Sequence, residues 1–89
     1  MTAHRNSGQR LTLLELQSGE GLRIVNLPNE TELSTQLRVL GIREGETVLL
    51  LRRALLGGPL HLRTECGVEV ALGRSAAAQV SGELAVIAP

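Results

Sequence analysis

The chain lacks the side chains on which many small binding domains depend. It has no phenylalanine, tyrosine or tryptophan among its 89 residues, which excludes base stacking on aromatic platforms and an aromatic groove for proline-rich peptides. Its nine basic residues are all arginine and its nine acidic residues are all glutamate, so the net charge is zero. A neutral chain creates no strong field toward DNA, RNA or an anionic membrane. We therefore expect no nucleic-acid partner.

Cysteine and long apolar runs are also scarce. Cys66 is the single cysteine and cannot form an internal disulfide, whereas small secreted domains often carry several, so we expect a cytoplasmic protein. No run approaches the ~20 apolar residues that span a bilayer, which predicts no direct membrane insertion. The polar start of the chain has no apolar core of a signal peptide. Residues 1–10 are predicted to be a flexible tail and residues 11–89 one domain.

Catalytic groups are equally hard to find. A domain of this size buries only about 60% of its unfolded surface, which leaves little room for an internal active site. The sequence shows no serine or cysteine grouped with histidine and acid, and no isolated carboxylate pair. We predict a binding module without catalytic residues or cofactors, and not an enzyme.

One helix is predicted over about residues 30–40. Asn29 is a suitable N-cap, and glutamates follow in the first turn, where carboxylates meet the positive end of the helix dipole. Gly41 stands where a helix needs a residue with positive φ, and Ile42 can contact Leu37 as in a Schellman motif. The apolar stripe that faces the core comprises Leu33, Leu37 and Leu40.

The remaining elements are short strands and turns. The spacing of Thr12 and Glu15 is that of a capping box and predicts a helical turn, Glu44 and Gly45 form a turn, and an alanine-rich helical turn is expected near residues 74–80. We predict about five strands: residues 22–27, 47–53, 60–65, 68–72 and 84–87. Such strands, interrupted by one helix, favour a mainly β fold in which a bent sheet closes into a small barrel.

Two of these strands have informative faces. Residues 47–53 carry leucines on both faces, which indicates a central strand covered on both sides. Residues 60–65 alternate cleanly, so one face is expected to be buried and the other wet. The buried face comprises Leu60, Leu62 and Thr64, and the wet face comprises His61, Arg63 and Glu65.

Four segments occur in an order typical of a known family: LLELQSG (13–19), QLRVLGIREG (36–45), RRALLGGPL (52–60) and VAL (70–72) before an alanine-rich turn. Together they resemble the FeoA family, and the resemblance extends over about residues 11–87. Gly41, Ile42 and Gly45 are its structural motif. The resemblance implies an SH3-like barrel and a small cytoplasmic accessory protein of bacterial ferrous-iron uptake. It also implies a partner, the membrane GTPase that carries Fe²⁺ inward (FeoB-like), which would hold the protein at the inner face of the membrane.

The segment after the central strand is the predicted docking surface for that partner. Leu55 and Leu56 begin a loop beside Gly57, Gly58 and Pro59, and two exposed leucines there would form an apolar knob. The alternative is that both leucines fold back over the barrel, and the glycines and proline favour turn chemistry over contacts. Similar proteins often have proline where this chain has Leu55, and charged residues where it has an alanine-rich turn, so the partner surface is expected to differ there.

Arginines precede this loop. Arg53 is included in the predicted surface. In a partner of a GTPase, one of the two arginines, Arg52 or Arg53, could act as an arginine finger. Adjacent strand residues point to opposite faces, so at most one of them could reach the nucleotide. Solvation at the surface or pairing with a glutamate is the favoured interpretation.

A metal site is the weaker alternative. His61 and Cys66, with Glu65 and Glu69, are the candidate ligands, but they lack the paired, closely spaced cysteines or histidines of a strong site. We therefore predict no metal. Two other functions stay open beside the accessory role: a regulatory barrel related to the C-terminal domain of metal-dependent repressors, and a small metal-binding carrier. Self-association of an apolar barrel also stays open.

Overall fold

The computed structural model describes residues 6–85 of the chain. Within them the fold is mainly β, as predicted, with two helices and one 3-10 turn. The elements in chain order are β1 (Arg10–Thr12), a 3-10 turn (Leu13–Glu15), β2 (Gly21–Asn26), α1 (Thr31–Leu40), β3 (Thr47–Arg53), β4 (Leu60–Arg63), β5 (Glu69–Leu72), α2 (Arg74–Ala77) and β6 (Ser81–Ala85).

The strands form one antiparallel sheet in the order β1-β6-β2-β3-β4-β5. The two edge strands are each followed by a helical turn, and these turns contact each other across the gap between the edges. The amide of Leu13, in the 3-10 turn, donates a hydrogen bond to the carbonyl of Val80, just beyond α2, at 3.0 Å. The sheet is therefore closed by the two turns, and the interior is a single core.

The sheet has six strands where about five were predicted. The missed strand is β1, whose three residues are too few to show alternation and run directly into the predicted capping turn. It begins at Arg10, inside the segment predicted to be a tail, and the amide of Gly8 also bonds to the carbonyl of Leu84 at 2.7 Å. Residues 1–5 of that tail and residues 86–87 of the last predicted strand lie outside the described part of the chain.

The core is entirely aliphatic. Its fifteen buried residues come from all six strands, from α1, from both helical turns and from the segments beside them. Without aromatic rings, such a core depends on many interdigitating leucines for its burial, each contributing about 1.5–3 kcal/mol when fully buried. The members are Leu11, Leu13, Leu16, Leu22, Ile24, Leu37, Ile42, Val48, Leu50, Leu60, Leu62, Leu72, Ala77, Val80 and Leu84.

Helix α1 begins one residue later than predicted. Its N-cap is Glu30, not Asn29, because the first helical hydrogen bond runs from the amide of Ser34 to the carbonyl of Glu30 at 3.0 Å. The side chain of Asn29 is then one residue too early to serve the first free amides. Leu37 is buried as predicted, but Leu40 is 41% exposed, since the buried face of the helix runs along Ser34 and Leu37 and leaves Leu40 at its margin.

Strand β3 lies between β2 and β4, as predicted, and contains a β-bulge near its end. Leu50 pairs with Leu62 and Arg52 pairs with His61, so Leu51 is an extra residue without a cross-strand partner. The bulge shifts the alternation by one: Leu50 faces the core, and Arg52 faces solvent with His61. The second face of β3 is only half-buried, so the prediction that both sides are covered is wrong for Leu51 and its neighbours on that face.

Candidate functional site

The β3–β4 loop, residues 54–59, is closed at its base by a backbone hydrogen bond and is apolar at its tip. The amide of Ala54 donates to the carbonyl of Pro59 at 3.0 Å, and the amide of Gly58 donates to the carbonyl of Leu55 at 3.2 Å. Between these bonds Leu55 is 88% exposed and Leu56 is 104% exposed. The two leucines project into solvent and do not fold back over the barrel.

Leu56 also has an unfavourable backbone conformation. Its φ is 58°, and it is the one residue other than glycine with positive φ in the described range 6–85. For a residue with a Cβ atom this left-handed region costs roughly 1–2 kcal/mol. Strain of this kind is found preferentially at functional sites. The loop thus holds its most exposed leucine in a conformation that local energetics disfavour.

The glycines of the loop have conformational roles. Gly57 has a φ of 75°, which glycine adopts without penalty. A Cβ atom on Gly58 would lie 2.7 Å from the Cβ of Ala54, so any larger residue there would force the base of the loop to shift. Pro59 is exposed, and its carbonyl accepts the bond that closes the loop. These three residues shape the loop, and Leu55 and Leu56 form its apolar surface.

Arg53 does not join that surface. Its guanidinium donates hydrogen bonds to the carbonyls of Leu14 and Leu16, on either side of the end of the 3-10 turn. The side chain is partly buried and connects the end of β3 to the segment that closes the barrel. We therefore assign Arg53 a structural role beneath the β3–β4 loop. Its neighbour Arg52 is exposed on the opposite face.

Arg74 was not predicted as a site residue, yet it lies beside the loop. Its Cδ is 3.9 Å from the position that a Cβ atom on Gly57 would occupy. The side chain is exposed at the start of α2. The sequence carried one signal that could have found it, the absence of glutamate around both Arg74 and Arg52, but the proximity of α2 to the loop depends on the closure of the sheet.

The end of α1 has the predicted Schellman geometry. The amide of Ile42 donates to the carbonyl of Leu37 at 2.9 Å, and the amide of Gly41 donates to the carbonyl of Arg38 at 3.0 Å, which together are a Schellman motif. Gly41 and Gly45 have φ values of 98° and 86°. Ile42 is fully buried.

The charges around this motif are paired. Nη2 of Arg38 lies 2.9 Å from Oε2 of Glu44, and this hydrogen bond lowers the pKa of the Glu44 carboxyl and raises the pKa of the Arg38 guanidinium. Both side chains are about half exposed. An ion pair this exposed contributes little to the stability of the fold.

The residues considered as metal ligands are dispersed or already engaged. Glu69 forms an ion pair with Arg63 at 3.0 Å, and Glu65 accepts a hydrogen bond from the amide of Thr47 at 3.3 Å. Cys66 is exposed at the β4–β5 turn, while His61 lies half-buried on β4. Between residues 6 and 85, no three histidine, cysteine or acidic side chains come close enough to hold a metal ion.

Most of the chain matches the model of a known family. The family model of the FeoA domain matches residues 11–84 of the chain. The chain belongs to the FeoA family. Members of this family are accessory proteins of ferrous iron transport. No match was found among curated proteins.

Solved structures of FeoA proteins superpose well on the chain. A FeoA protein from Chlorobium tepidum is 26% identical, with a TM-score of 0.75 over 84% of this chain and 71% of that one. Stenotrophomonas maltophilia FeoA, solved in complex with zinc and described as a prokaryotic SH3 domain protein, is 26% identical, with a TM-score of 0.66 over 79% of this chain and 86% of that one. The predicted SH3-like fold is thereby confirmed.

Metal-dependent repressors share the fold. A manganese-dependent transcriptional repressor is 15% identical, with a TM-score of 0.76 over 88% of this chain. The FeoA-family chain spans only 43% of that repressor. The similarity concerns the barrel alone.

No helix within residues 6–85 has the length and apolar character needed to cross a membrane.

Proposed function

We propose that this FeoA-family protein is a cytoplasmic accessory protein of ferrous iron uptake that docks through its β3–β4 loop on the cytoplasmic part of the membrane Fe²⁺ transporter GTPase (FeoB-like). The protein acts there as a binding module that supports or regulates transport, and it contributes no catalytic group of its own.

One observation carries this proposal: Leu55 and Leu56 are both almost fully exposed at the tip of a constrained loop. Burying a leucine side chain stabilises a contact by about 1.5–3 kcal/mol, so two leucines supply enough apolar surface to anchor an interface. The loop is held by two backbone hydrogen bonds, and its conformation is therefore largely set before binding.

The proposal is tested by capture of the purified cytoplasmic domain of the transporter. The variant Leu56→Glu places a charge in the apolar contact, and we expect its affinity to fall about tenfold or more. Val39→Glu is the matched control, since Val39 is a 78% exposed apolar residue that lies outside the β3–β4 loop, near the C-terminus of α1. We expect Val39→Glu to bind within about twofold of the wild type.

Both variants must show the wild-type thermal transition, because only folded protein is informative. Equal capture of the wild type and a folded Leu56→Glu variant would contradict docking through this loop. Loss of capture in both variants would place the interface elsewhere or make it a general property of the surface.

A further inference from the structure

The charges of the chain are segregated around the β3–β4 loop. No glutamate occurs between Glu46 and Glu65, or between Glu69 and Glu83. The β3–β4 loop and α2 fall inside these two stretches. The arginines there are Arg52 and Arg53, at the end of β3, and Arg74, at the start of α2, and their elements contain no carboxylate. Of the five other arginines in the described residues, four are paired with glutamates, and Arg10 is the exception. The pairs are Arg23 with Glu83, Arg38 with Glu44, Arg43 with Glu46, and Arg63 with Glu69.

Two of the arginines near the loop have exposed guanidinium groups and no carboxylate partner among residues 6–85. Arg52 faces solvent because the bulge at Leu51 shifts the alternation of β3. Arg74 approaches the loop from α2, with its Cδ 3.9 Å from the site of a Cβ atom on Gly57. Arg53 is different, since the backbone carbonyls of the barrel already occupy its donors. The tip of the loop is thus apolar, and its margin is basic.

We propose that the segment of the partner protein which occupies this loop is acidic as well as apolar, with leucine-sized side chains against Leu55 and Leu56 and carboxylates toward Arg52 and Arg74. This inference rests on the proposed docking function and specifies the chemistry of the partner. An arginine binds a carboxylate with two parallel hydrogen bonds, so two free arginines beside an apolar tip select for acidic residues at defined places.

A second copy of this chain fits the surface less well. Four of its nine carboxylates form ion pairs with its own arginines. Glu15, Glu20 and Glu65 accept hydrogen bonds from backbone amides. Glu30 and Glu32, at the start of α1, have no ion pair among residues 6–85, but the exposed Val39 and Leu40 lie at the other end of that helix. A helix of ten residues is about 15 Å long, so these features do not form one acidic and apolar patch.

A lipid surface is also disfavoured. Membrane-binding basic clusters usually contain about four to eight lysines or arginines, and interfacial anchors are enriched in tryptophan and tyrosine. Within residues 6–85, the β3–β4 loop has at its margin only two arginines without a carboxylate partner, and the chain has no aromatic residue.

The first experiment measures affinity for the transporter's cytoplasmic domain between about 0.05 M and 0.3 M salt, a range over which surface charges become strongly screened. We expect Arg52→Gln combined with Arg74→Gln to weaken binding about tenfold at low salt and to flatten the salt dependence. The matched control, Arg10→Gln combined with Arg63→Gln, also removes two exposed positive charges, and we expect it to bind within about twofold of the wild type. A double variant at Arg52 and Arg74 that binds like this control would overturn the inference.

The outcomes separate the inference from the proposed function. If Leu56→Glu abolishes capture while the Arg52 and Arg74 variant binds normally, docking stands and the acidic partner is rejected. If the wild type captures nothing, docking on this transporter is rejected, and a short peptide of glutamate and leucine decides the inference by itself. In an NMR titration, that peptide should shift the signals of residues 52–59 and 74 and bind at least about fivefold more tightly than its glutamine counterpart. Equal binding of the two peptides would reject the inference.

Two further measurements address the other occupants. Co-sedimentation with anionic phosphatidylglycerol vesicles, but not with neutral ones, that depends on Arg52 and Arg74 would identify a lipid surface and overturn the inference. Concentration-dependent self-association in sedimentation velocity that Leu56→Glu removes would identify a second copy and do the same. Absence of both effects supports a partner protein.

Discussion

The loops at the two ends of β3 both combine glycines with bulky aliphatic residues but place the aliphatic side chains in opposite environments. The loop before the strand, residues 41–46, has glycine at both of its positive-φ positions, buries Ile42 completely and pairs its charges. In the β3–β4 loop, Leu56 as well as Gly57 has positive φ, and both leucines are exposed. The nearby Arg52 and Arg74 have no carboxylate partner among residues 6–85.

The difference separates stability from binding. In the loop before β3, each special residue satisfies a local need: a helix end, a core position or an ion pair. In the β3–β4 loop, the two leucines pack against nothing within residues 6–85, the arginines beside the loop have no carboxylate partner there, and the backbone at Leu56 is strained. Groups that a fold does not use, and holds at a cost, are the ones available to a partner.

The largest expected effect is on the loop before β3. Gly41→Val requires a β-branched residue at a φ of 98° and brings its Cβ to 3.1 Å from Cγ2 of Thr64. We expect the free energy of unfolding, measured by chemical denaturation, to fall by about 3 kcal/mol. Gly67→Val is the control, because Gly67 has a φ of 89° but no atom within 4 Å of its Cβ position. It should lose only the conformational part, about 1–2 kcal/mol, and equal losses in the two variants would show that contact with Thr64 is unimportant.

An intermediate effect is expected where β3 meets its second loop. Arg53→Met leaves two backbone carbonyls without their charged donor, and we expect a loss of about 2–3 kcal/mol in the same measurement. Arg52→Met is the matched control on the exposed face and should change stability by no more than about 0.5 kcal/mol. The two arginines would be interchangeable, and the assignment of Arg53 as structural wrong, if both variants had the same stability.

The smallest effect should have the opposite sign. Leu56→Gly relieves the left-handed strain, and since the flexibility of glycine in the unfolded chain offsets part of that gain, we expect stabilisation of at most about 1 kcal/mol. Leu55→Gly, which relieves no positive φ, should be neutral or slightly destabilising. Both changes should weaken capture of the transporter domain. If Leu56→Gly destabilised the protein as much as Leu55→Gly, the positive φ of Leu56 would not be a source of strain, and the two loops would not differ in this respect.

Much of the fold was predictable because its signals are local. The Schellman motif at Gly41 and Ile42 follows from residue types at fixed spacing, and the bounds of β3 follow from its run of leucines and arginines. Strand β1 was not predictable, since three residues gain their strand character only by pairing with β6. The N-cap of α1 was displaced by one residue because the choice between Asn29 and Glu30 depends on how the chain leaves β2.

Only those residues of the candidate site that are adjacent in the sequence were predictable. Leu55 and Leu56 stand next to turn-forming residues, and that pattern indicated a loop tip. Arg53 is part of the predicted surface, yet its guanidinium contacts the barrel. The bulge at Leu51, which cannot be read from a uniform run of apolar residues, pairs Arg53 with Leu60. Arg74 was missed, because it reaches the β3–β4 loop only after the sheet has closed.

The bulge at Leu51 also determines how long a segment must be grafted onto another protein to reproduce the apolar tip together with its arginines. The extra residue decides which arginine is anchored and which is free, and therefore where the basic margin lies relative to the leucines. An engineer who transplanted residues 54–59 onto another barrel would carry the apolar tip and lose that arrangement. The smallest graft that keeps the tip and Arg52 in register extends from Leu50 to Leu60, and it needs a host with carbonyls placed to receive Arg53.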